Sequence, residues 1–470
     1  MVAPPTNRDI RESLKFILDE LVRHSALARD PAKYMQAVRE DGWPCELSFP
    51  DGSNRLIGKK AYTRLSQLSL SVVETDYRLK GKIGSDVFFE VLSGALGTAI
   101  VERQDIRERD FIESCVQMAV AKHLKSVDFF IPCIAPSCRG MGKFHIGPVT
   151  FFEKRRFMAA NYERIQVLPP FDLSRLEESY KLQNWIAHVR IEGFEETRAE
   201  ERTYLCVRLA IASIKARLSS RSAQWLGTEK QPMPALTSYS LTSEPVEASQ
   251  RIAMGWRTQF INVGYGTEVE SLMSIRSRKW FAVLGDFLGN VSCLGEWSYL
   301  QSKIVTALIW LDIGNTPTSD AEKVVAFSNC LETMFVTRDQ GKKRQLVSRS
   351  RLLLGYSGWC PDLNNKVENF YSSRGDVVHG DIMPLASELA GTAFVGKYLT
   401  DVCIEGFIHF SRWLLDKHSR AGTREHERPF NGRGSFDLAM EQELPLFIEE
   451  MRRRHAATGA LASVSVGPNG

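Results

Sequence analysis

An arginine and a histidine with four residues between them, Arg374 and His379, are the residues of this chain best suited to chemistry by type and spacing. They lie in the segment Asn369–Asp381, where the pattern predicts the end of a helix. A guanidinium is always charged, whereas an imidazole titrates near neutral pH. Beside a phosphodiester, the two groups can bind the phosphate and move protons without a metal ion. The pair therefore indicates metal-independent phosphodiester cleavage.

Spacing alone does not single out this pair. Three other arginine–histidine pairs have similar spacing: Arg139 with His145, Arg412 with His418, and Arg420 with His426. The difference is local context, because Gly380 is a natural helix C-cap and Pro384 stops a helix. A reading without chemistry is also open, in which Arg374 pairs with an acid such as Asp376 and His379 caps helix carbonyls.

The composition is that of an ordinary globular chain with several domains. A chain of 470 residues is too long to fold around a single compact core, so two or three domains are expected. The formal net charge is only +4, which excludes a large basic field, and any nucleic-acid site must be a local patch. No targeting segment is recognisable, and no apolar run approaches the roughly 20 residues of a membrane span. A cytoplasmic protein without membrane contact is predicted.

The cysteines predict no disulfides. Nine of them are scattered singly through apolar runs, for example at Cys115, Cys206, Cys330 and Cys403. An odd number in that arrangement favours buried reduced thiols. A zinc site is an alternative use of two cysteines and one or two histidines: Cys133, Cys138, His145 and His123. The spacing is not that of a paired zinc knuckle, and Cys133 follows an apolar strand, so no metal and no cofactor are predicted.

The hydrophobic pattern predicts a mainly α protein in which a mixed α+β region precedes a helical bundle. The first elements expected are helices over 8–24, 84–101 and 107–125, a hairpin over 45–57, and strands over 127–133 and 143–152. From about residue 174 the pattern turns helical, with a linker rich in Ser, Thr and Pro at 219–250. Four regions are expected: a mixed regulatory or sensor domain at 1–165, a helical segment and linker at 166–240, a helical region at 241–420, and a tail with one helix and a disordered end at 421–470.

Helices follow one another closely in the C-terminal part of the chain. The pattern predicts helices over 303–311, from a cap at Asp320, over 346–354, 361–379 and 384–417, and in the tail over 437–455. Three stretches, Ile309–Leu311, Ala326–Glu332 and Phe370–Gly380, together resemble the HEPN superfamily and, within it, the Apea-like branch. The resemblance covers roughly residues 297–417, about a quarter of the chain.

The resemblance implies a HEPN-like helical bundle that cleaves RNA without a metal ion. His379 would act as general base or acid at the ribose 2′-hydroxyl and the leaving oxygen, and Arg374 would hold the phosphate. On one helix these two residues differ by about 140° and about 7.5 Å of rise, so two copies are needed to form one cleft. A homodimer with a composite site is therefore expected, acting on single-stranded RNA such as tRNA loops. Anti-phage defence by abortive infection is the biological role that the resemblance implies.

Other polar residues are expected to support the pair. Asn329 and Glu332 on the facing helix are candidates for orienting Arg374 or His379, as is Asp376 on the same helix, although polar helix-packing pairs are equally common. A basic run would guide RNA into the cleft: Lys342, Lys343, Arg344, Arg349 and Arg351. The plain reading of that run is solvated charge at a helix end.

Two positions depart from the family pattern. Many active members carry a polar residue directly after the arginine, where this chain has Gly375, and some branches carry a tyrosine where this chain has Asp381. Gly375 keeps an alternative open: a non-catalytic HEPN module for dimerisation or nucleic-acid binding within a larger complex. In either case the N-terminal region is expected to hold a regulatory or trigger partner.

Overall fold

The computed structural model describes residues 5–27, 29–49, 52–102, 108–135, 142–161, 184–228, 237–241, 252–256, 272, 275–292, 298–316, 319–356, 363–383, 387–420 and 431–464. The elements up to residue 215 are α1 (Asn7–Leu27), α2 (Pro31–Asp41), β1 (Cys45–Ser48), β2 (Asn54–Ile57), α3 (Lys59–Thr75), α4 (Ser85–Val101), α5 (Glu108–His123), β3 (Lys125–Ile134), β4 (Lys143–Ile146), β5 (Val149–Glu153), α6 (Lys154–Ala160), β6 (Trp185–Phe194) and α7 (Glu196–Lys215). The later elements are α8 (Ser220–Ala223), β7 (Gly227–Thr228), β8 (Thr237–Leu241), β9 (Ile252–Trp256), α9 (Ile275–Ser292), α10 (Tyr299–Gly314), α11 (Asp320–Phe335), α12 (Lys342–Tyr356), α13 (Leu363–His379), α14 (Glu388–Arg420) and α15 (Arg433–Val464).

The protein is mainly α-helical, with an α+β part of antiparallel strands, and this prediction is confirmed. The chain forms two compact units: unit 1 comprises Met1–Asp128 and Arg190–Thr203, and unit 2 comprises Phe129–Val189 and Tyr204–Gly470. In the described part of the chain, no helix has both the length and the apolar character that crossing a membrane requires.

Unit 1 is built around one apolar core. Helices α1, α3, α4 and α5 bury their apolar faces against the β1–β2 hairpin, with Ile17, Leu65 and Leu92 fully buried. The hairpin pairs antiparallel from Cys45 opposite Ile57 onwards. The helices and the hairpin predicted for this region are confirmed, because their apolar positions recur with helical or alternating spacing.

A five-stranded sheet has the order β4-β5-β6-β3-β7, and its strands β3 and β6 each have residues in both units. The helical expectation for the segment after residue 166 is wrong over Trp185–Phe194, which forms the strand β6. Val189 and Ile191 are buried while Arg190 and Glu192 are exposed, which is the two-residue period of a strand. The prediction of a linker over 219–250 is also wrong in part. The strand β8 lies inside that range and pairs antiparallel with β9, which follows it.

Two glycines bring the β4–β5 turn against helix α9. Gly147 has a positive φ of 56°, which a side chain disfavours. A Cβ atom at Gly147 would lie 2.8 Å from the carbonyl oxygen of Gly285, and one at Gly285 would lie 2.9 Å from the nitrogen of Gly147. The turn and the helix therefore meet backbone to backbone.

A buried charge network links three helices of unit 2. Asp312 on α10 is fully buried, with its carboxylate 2.6 Å from Nζ of Lys215 and 2.7 Å from Nε of Arg208, both on α7. Lys397 on α14 donates from Nζ to the carbonyl oxygen of Lys215 at 3.0 Å and to Oδ2 of Asp401 at 2.6 Å. A buried carboxylate is tolerated only when it is paired, so this network fixes how α7, α10 and α14 align.

Helices α10 and α11 begin at side-chain caps. Ser298 caps α10 with Gln301, and Ser319 caps α11 with Glu322, each in a reciprocal capping box. The predicted cap at Asp320 is therefore one residue late, because the hydroxyl of Ser319 accepts the Glu322 N–H. The last helix is longer than expected: α15 continues to Val464, through part of the end predicted to be disordered.

Helix α13 packs on α14 where the ring of Phe370 meets Gly396. Phe370 is 2% exposed, and its ring lies so close to Gly396 that a Cβ atom there would overlap it. Gly396 is itself buried in the middle of α14. The absence of a side chain at this position lets α13 approach α14 at this point.

We expect Gly396→Ala to lower the free energy of unfolding by about 1 to 3 kcal/mol, because the new methyl group must displace the Phe370 ring. Gly391→Ala is the matched control on the same helix, since nothing lies within 4 Å of its Cβ position. That variant should gain up to about 1 kcal/mol from helix propensity. Urea unfolding of both variants measures the effect, and equal stabilisation by both would contradict the packing described.

Candidate active site

Helix α13 ends at the histidine, as predicted. Gly380 follows with a φ of 80°, and the N–H of Asp381 donates to the carbonyl of Asp376 at 2.8 Å. This six-to-one hydrogen bond is a Schellman C-cap, which favours glycine in the left-handed conformation. His379 is thus the last helical residue, and its side chain is exposed to solvent.

Arg374 is held by the facing helix. Its Nη2 atom lies 3.7 Å from Oε1 of Glu332 on α11, and the arginine side chain is 28% exposed. Its Nε atom is shielded from solvent and donates to no described residue. Among the described residues Arg374 forms an ion pair with Glu332 and none with Asp376, the partner considered from the sequence. The predicted position of Glu332 beside the arginine agrees with this geometry.

A tyrosine that the sequence reasoning missed completes the contact. The hydroxyl of Tyr371 donates to Oε1 of Glu332 at 3.0 Å. Burial, followed by the nearby Glu332 carboxylate, raises the pKa of Tyr371 to about 12, so the hydroxyl remains a donor at neutral pH. Tyr371 precedes Arg374 by three residues, and residues three apart share a helix face, which is the signal that could have identified it.

The other predicted supporting residues make different contacts. Asn329 is half-buried on α11, and its carbonyl accepts a hydrogen bond from Oγ1 of Thr333 at 2.7 Å. Asp376 is half-buried, and its carbonyl oxygen takes part in the helix cap. At Gly375 nothing lies within 4 Å of the Cβ position, so the place where many HEPN members carry a polar side chain is open.

Part of the predicted basic run lies along α13. Nζ of Lys343 is 3.2 Å from both Oε1 of Glu368 and Oγ of Ser372, and Nη2 of Arg351 is 3.7 Å from Oε2 of Glu368. Lys342 and Arg344 are exposed at the start of α12. Exposed ion pairs of this kind are worth at most about 1 kcal/mol, so these cations can exchange Glu368 for another anion.

Arg349 is a correction to the basic run. It is only 6% exposed, and its Nη1 atom donates to the carbonyl of Phe335 at 2.7 Å. Its Nη2 atom is 2.6 Å from the carboxylate of Asp437 on α15. Periodicity places Arg349 inside the bundle, where it ties α12 to α15, and it does not reach a solvent-facing RNA patch.

Nothing among the described residues supports the zinc alternative, because no group of three or more metal-ligating side chains occurs there. Burial raises the pKa of the Cys133 thiol well above its usual range. Nδ1 of His145 lies 3.0 Å from Oγ1 of Thr150. Cys138 lies outside the described residues. Cys115, Cys206, Cys330 and Cys403 are buried and belong to no disulfide, as predicted.

Comparison of the chain with protein-family models, with curated proteins and with solved structures finds no match. The HEPN resemblance therefore rests on the three stretches Ile309–Leu311, Ala326–Glu332 and Phe370–Gly380 alone.

A half-buried lysine caps the helix that carries Glu332. Nζ of Lys303 on α10 donates to the carbonyls of Thr333 and Val336, at 2.6 and 3.2 Å, where α11 ends. Burial, followed by the charges of Arg433 and Arg349, lowers the pKa of Lys303 to about 8.

This pKa predicts a pH dependence of stability. Between about pH 8 and 10.5 the unfolded chain binds the Lys303 proton and the folded protein does not, so the stability contributed at this position rises with pH across that window. Relative to Lys303→Met, which cannot titrate, the wild type should gain about 1 to 3 kcal/mol over the window. Urea unfolding of both proteins at several pH values measures it, and parallel pH profiles would contradict the shift.

The Tyr371–Glu332 hydrogen bond predicts an energetic coupling. Tyr371→Phe and Glu332→Gln should each lower the free energy of unfolding, because each removes one partner of a charge-assisted hydrogen bond. In a double-mutant cycle the two changes should couple by about 1 kcal/mol. Tyr398→Phe on α14 is a control for loss of a tyrosine hydroxyl, and its effect should be additive with Glu332→Gln.

Proposed function

We propose that this protein is a metal-independent endoribonuclease that cleaves single-stranded RNA at a composite site formed by two copies of the chain. The observation that carries the proposal is the contrast between two groups at one end of α13. The guanidinium of Arg374 is held by Glu332, whereas the imidazole of His379 is exposed at a capped helix end. One group is suited to binding a phosphate in a fixed place, and the other to exchanging protons.

The helix geometry favours a dimeric site. Five residues along an α-helix correspond to about 140° of rotation and about 7.5 Å of rise. A single copy therefore presents Arg374 and His379 on different faces. A two-fold axis beside α13 would bring the arginine of each copy toward the histidine of the other, so that one phosphodiester contacts two guanidinium groups and two imidazoles.

The reaction needs no group beyond these side chains and the RNA. The ribose 2′-oxygen forms a bond to phosphorus as it loses its proton to one imidazole, and the bond from phosphorus to the 5′-oxygen breaks. The other imidazole, in its protonated form, gives a proton to the departing 5′-oxygen. The products are a 2′,3′-cyclic phosphate and a 5′-hydroxyl. Arg374 stabilises the charge that develops on the phosphoryl oxygens, and DNA is spared because it lacks the 2′-hydroxyl.

The contacts around the site support anion binding. The Arg374–Glu332 contact is long at 3.7 Å, so the guanidinium keeps donors for a phosphate. Lys343 and Arg351 share one exposed carboxylate, Glu368, which a phosphate of the RNA can replace. Lys342 and Arg344 lie at the start of the same helix and extend the positive charge.

The alternative function is a non-catalytic HEPN module for dimerisation or nucleic-acid binding. The open space at Gly375 favours it, because no side chain there can assist proton transfer. By analogy with the Apea-like branch, the biological role of a nuclease would be anti-phage defence by abortive infection. Unit 1 would then restrain the nuclease or sense the trigger.

The nuclease is tested by substituting the pair. Arg374→Ala and His379→Ala should each lower the rate of RNA cleavage at least 100-fold, since each removes a group that acts in the transition state. Cleavage of a labelled single-stranded RNA should persist in EDTA and leave 2′,3′-cyclic phosphate ends, identified by sequencing the fragments with and without end repair.

The controls are the rival pair on α14, Arg412→Ala and His418→Ala, which has similar spacing and should leave cleavage unchanged. Mixing wild-type with His379→Ala copies should lower the cleavage rate per wild-type copy if the site is composite, because a mixed dimer keeps only one of the two imidazoles that the reaction uses. Cleavage that survives both substitutions at the pair, or that EDTA abolishes, would remove the assignment. RNA binding without cleavage by the wild type would favour the alternative module.

A further inference from the structure

The outer face of the five-stranded sheet carries a cluster of four rings, all from residues of unit 2. Phe130 on β3, Phe152 on β5 and His188 on β6 come from three strands, and Phe157 comes from α6. Phe130 stacks on His188 with centroids 4.8 Å apart and planes inclined by 20°, and it lies 5.1 Å from Phe157. Phe152 lies 6.2 Å from Phe157 and 6.4 Å from His188. We call this group the ring cluster.

The ring cluster is not the core of the sheet. On the opposite face, Phe151 and Val189 are fully buried. Strand alternation places their neighbours, Phe152 and His188, on the outer face, where they are half-exposed, and Phe130 is 43% exposed. A soluble surface seldom gathers exposed rings of this size without a ligand or partner.

Cations border the ring cluster. Lys143 lies opposite Phe152 across the β4–β5 ladder, with Nζ 5.1 Å from the ring centroid. Helix α6 begins Lys154-Arg155-Arg156 directly after β5, and both arginines are exposed. Two acids lie close by in these elements, Glu153 at 3.5 Å from Nε of Arg156 and the exposed Asp128 two residues before Phe130. The four cations outnumber them, so the balance of charge is positive.

We propose that the ring cluster and its bordering cations bind single-stranded nucleic acid. A ligand that matches exposed rings together with cations must offer flat apolar faces and negative charge. Unpaired nucleobases joined by phosphates offer both, and they stack on aromatic side chains whatever their sequence. Bases would stack on Phe130 and Phe152, while phosphates contact Lys143 and Arg155. This surface is separate from Arg374 and His379, and the proposal does not depend on cleavage there.

Binding is measured with the full-length His379→Ala variant, so that the RNA stays intact. The probe is a fluorescein-labelled oligouridylate of about 12 nucleotides, followed by fluorescence anisotropy. Phe130→Ala should weaken binding about tenfold, because stacking of one base contributes that much on average. Phe130→Trp should retain binding. Tyr77→Ala, at a ring that is 81% exposed in unit 1, is the matched control and should have no effect.

A second measurement separates the cations from the rings. The double substitution Lys143→Gln with Arg155→Gln should reduce the slope of log Kd against log salt by about 1.4, as expected for two lost phosphate contacts on a single strand. The matching deoxyoligonucleotide should bind comparably, since bases and phosphates are common to both. A strong preference for RNA would add a contact to the 2′-hydroxyl.

Two results would overturn the proposal. One is an affinity and salt slope that are unchanged by both sets of substitutions. The other is a change of oligomeric state with Phe130→Ala in gel filtration without a change in affinity, which would assign the ring cluster to contact with a second copy. Loss of cleavage in Arg374→Ala with wild-type affinity for the oligonucleotide would leave the two proposals independently supported.

Discussion

A buried carboxylate, that of Asp312, constrains how the helices α7 and α10 align. Because a desolvated charge is costly unless it is paired, α10 cannot slide along α7 without exposing or orphaning Asp312 and Lys215. Lys397 extends the constraint to α14 by donating to the carbonyl of Lys215. Because α14 is fixed in this way, Gly396 leaves the space that the ring of Phe370 occupies. This contact positions α13 on α14.

The residues of the candidate site are positioned by this series of contacts. Once α13 is seated, the hydroxyl of Tyr371 reaches Glu332, and the same carboxylate faces Arg374. Lys303 caps the end of α11 and so holds the helix on which Glu332 lies. Helix α13 thus has the buried Phe370 where it packs on α14 and the exposed imidazole of His379 at its C-terminal end. A guanidinium beside a carboxylate and a solvent-accessible imidazole are the two groups that the proposed cleavage of a phosphodiester would use.

Sequence reasoning succeeded where local chemistry decides the structure. Apolar spacing predicted α13, and Gly380 predicted its end, because a helix cap depends on its own few residues. The strand β6 was missed because its first residues form a continuous apolar run, which is compatible with either structure. Arg349 seemed part of a basic surface, but its partner Asp437 is 88 residues away and only the fold brings them together. The bond between Tyr371 and Glu332 spans 39 residues, and the only local signal for it is the helix face that Tyr371 shares with Arg374.

The backbone contact between Gly147 and Gly285 restricts how the sequence of this protein can change over time. Most packing defects can be relieved by a smaller residue on the other side, but here both sides are already as small as a residue can be. A mutation at either glycine therefore has no single compensating mutation at the other. Among related chains that keep this hairpin on this helix, the two positions should be invariant together, and a chain that has lost one glycine should have lost the docking of the hairpin as well.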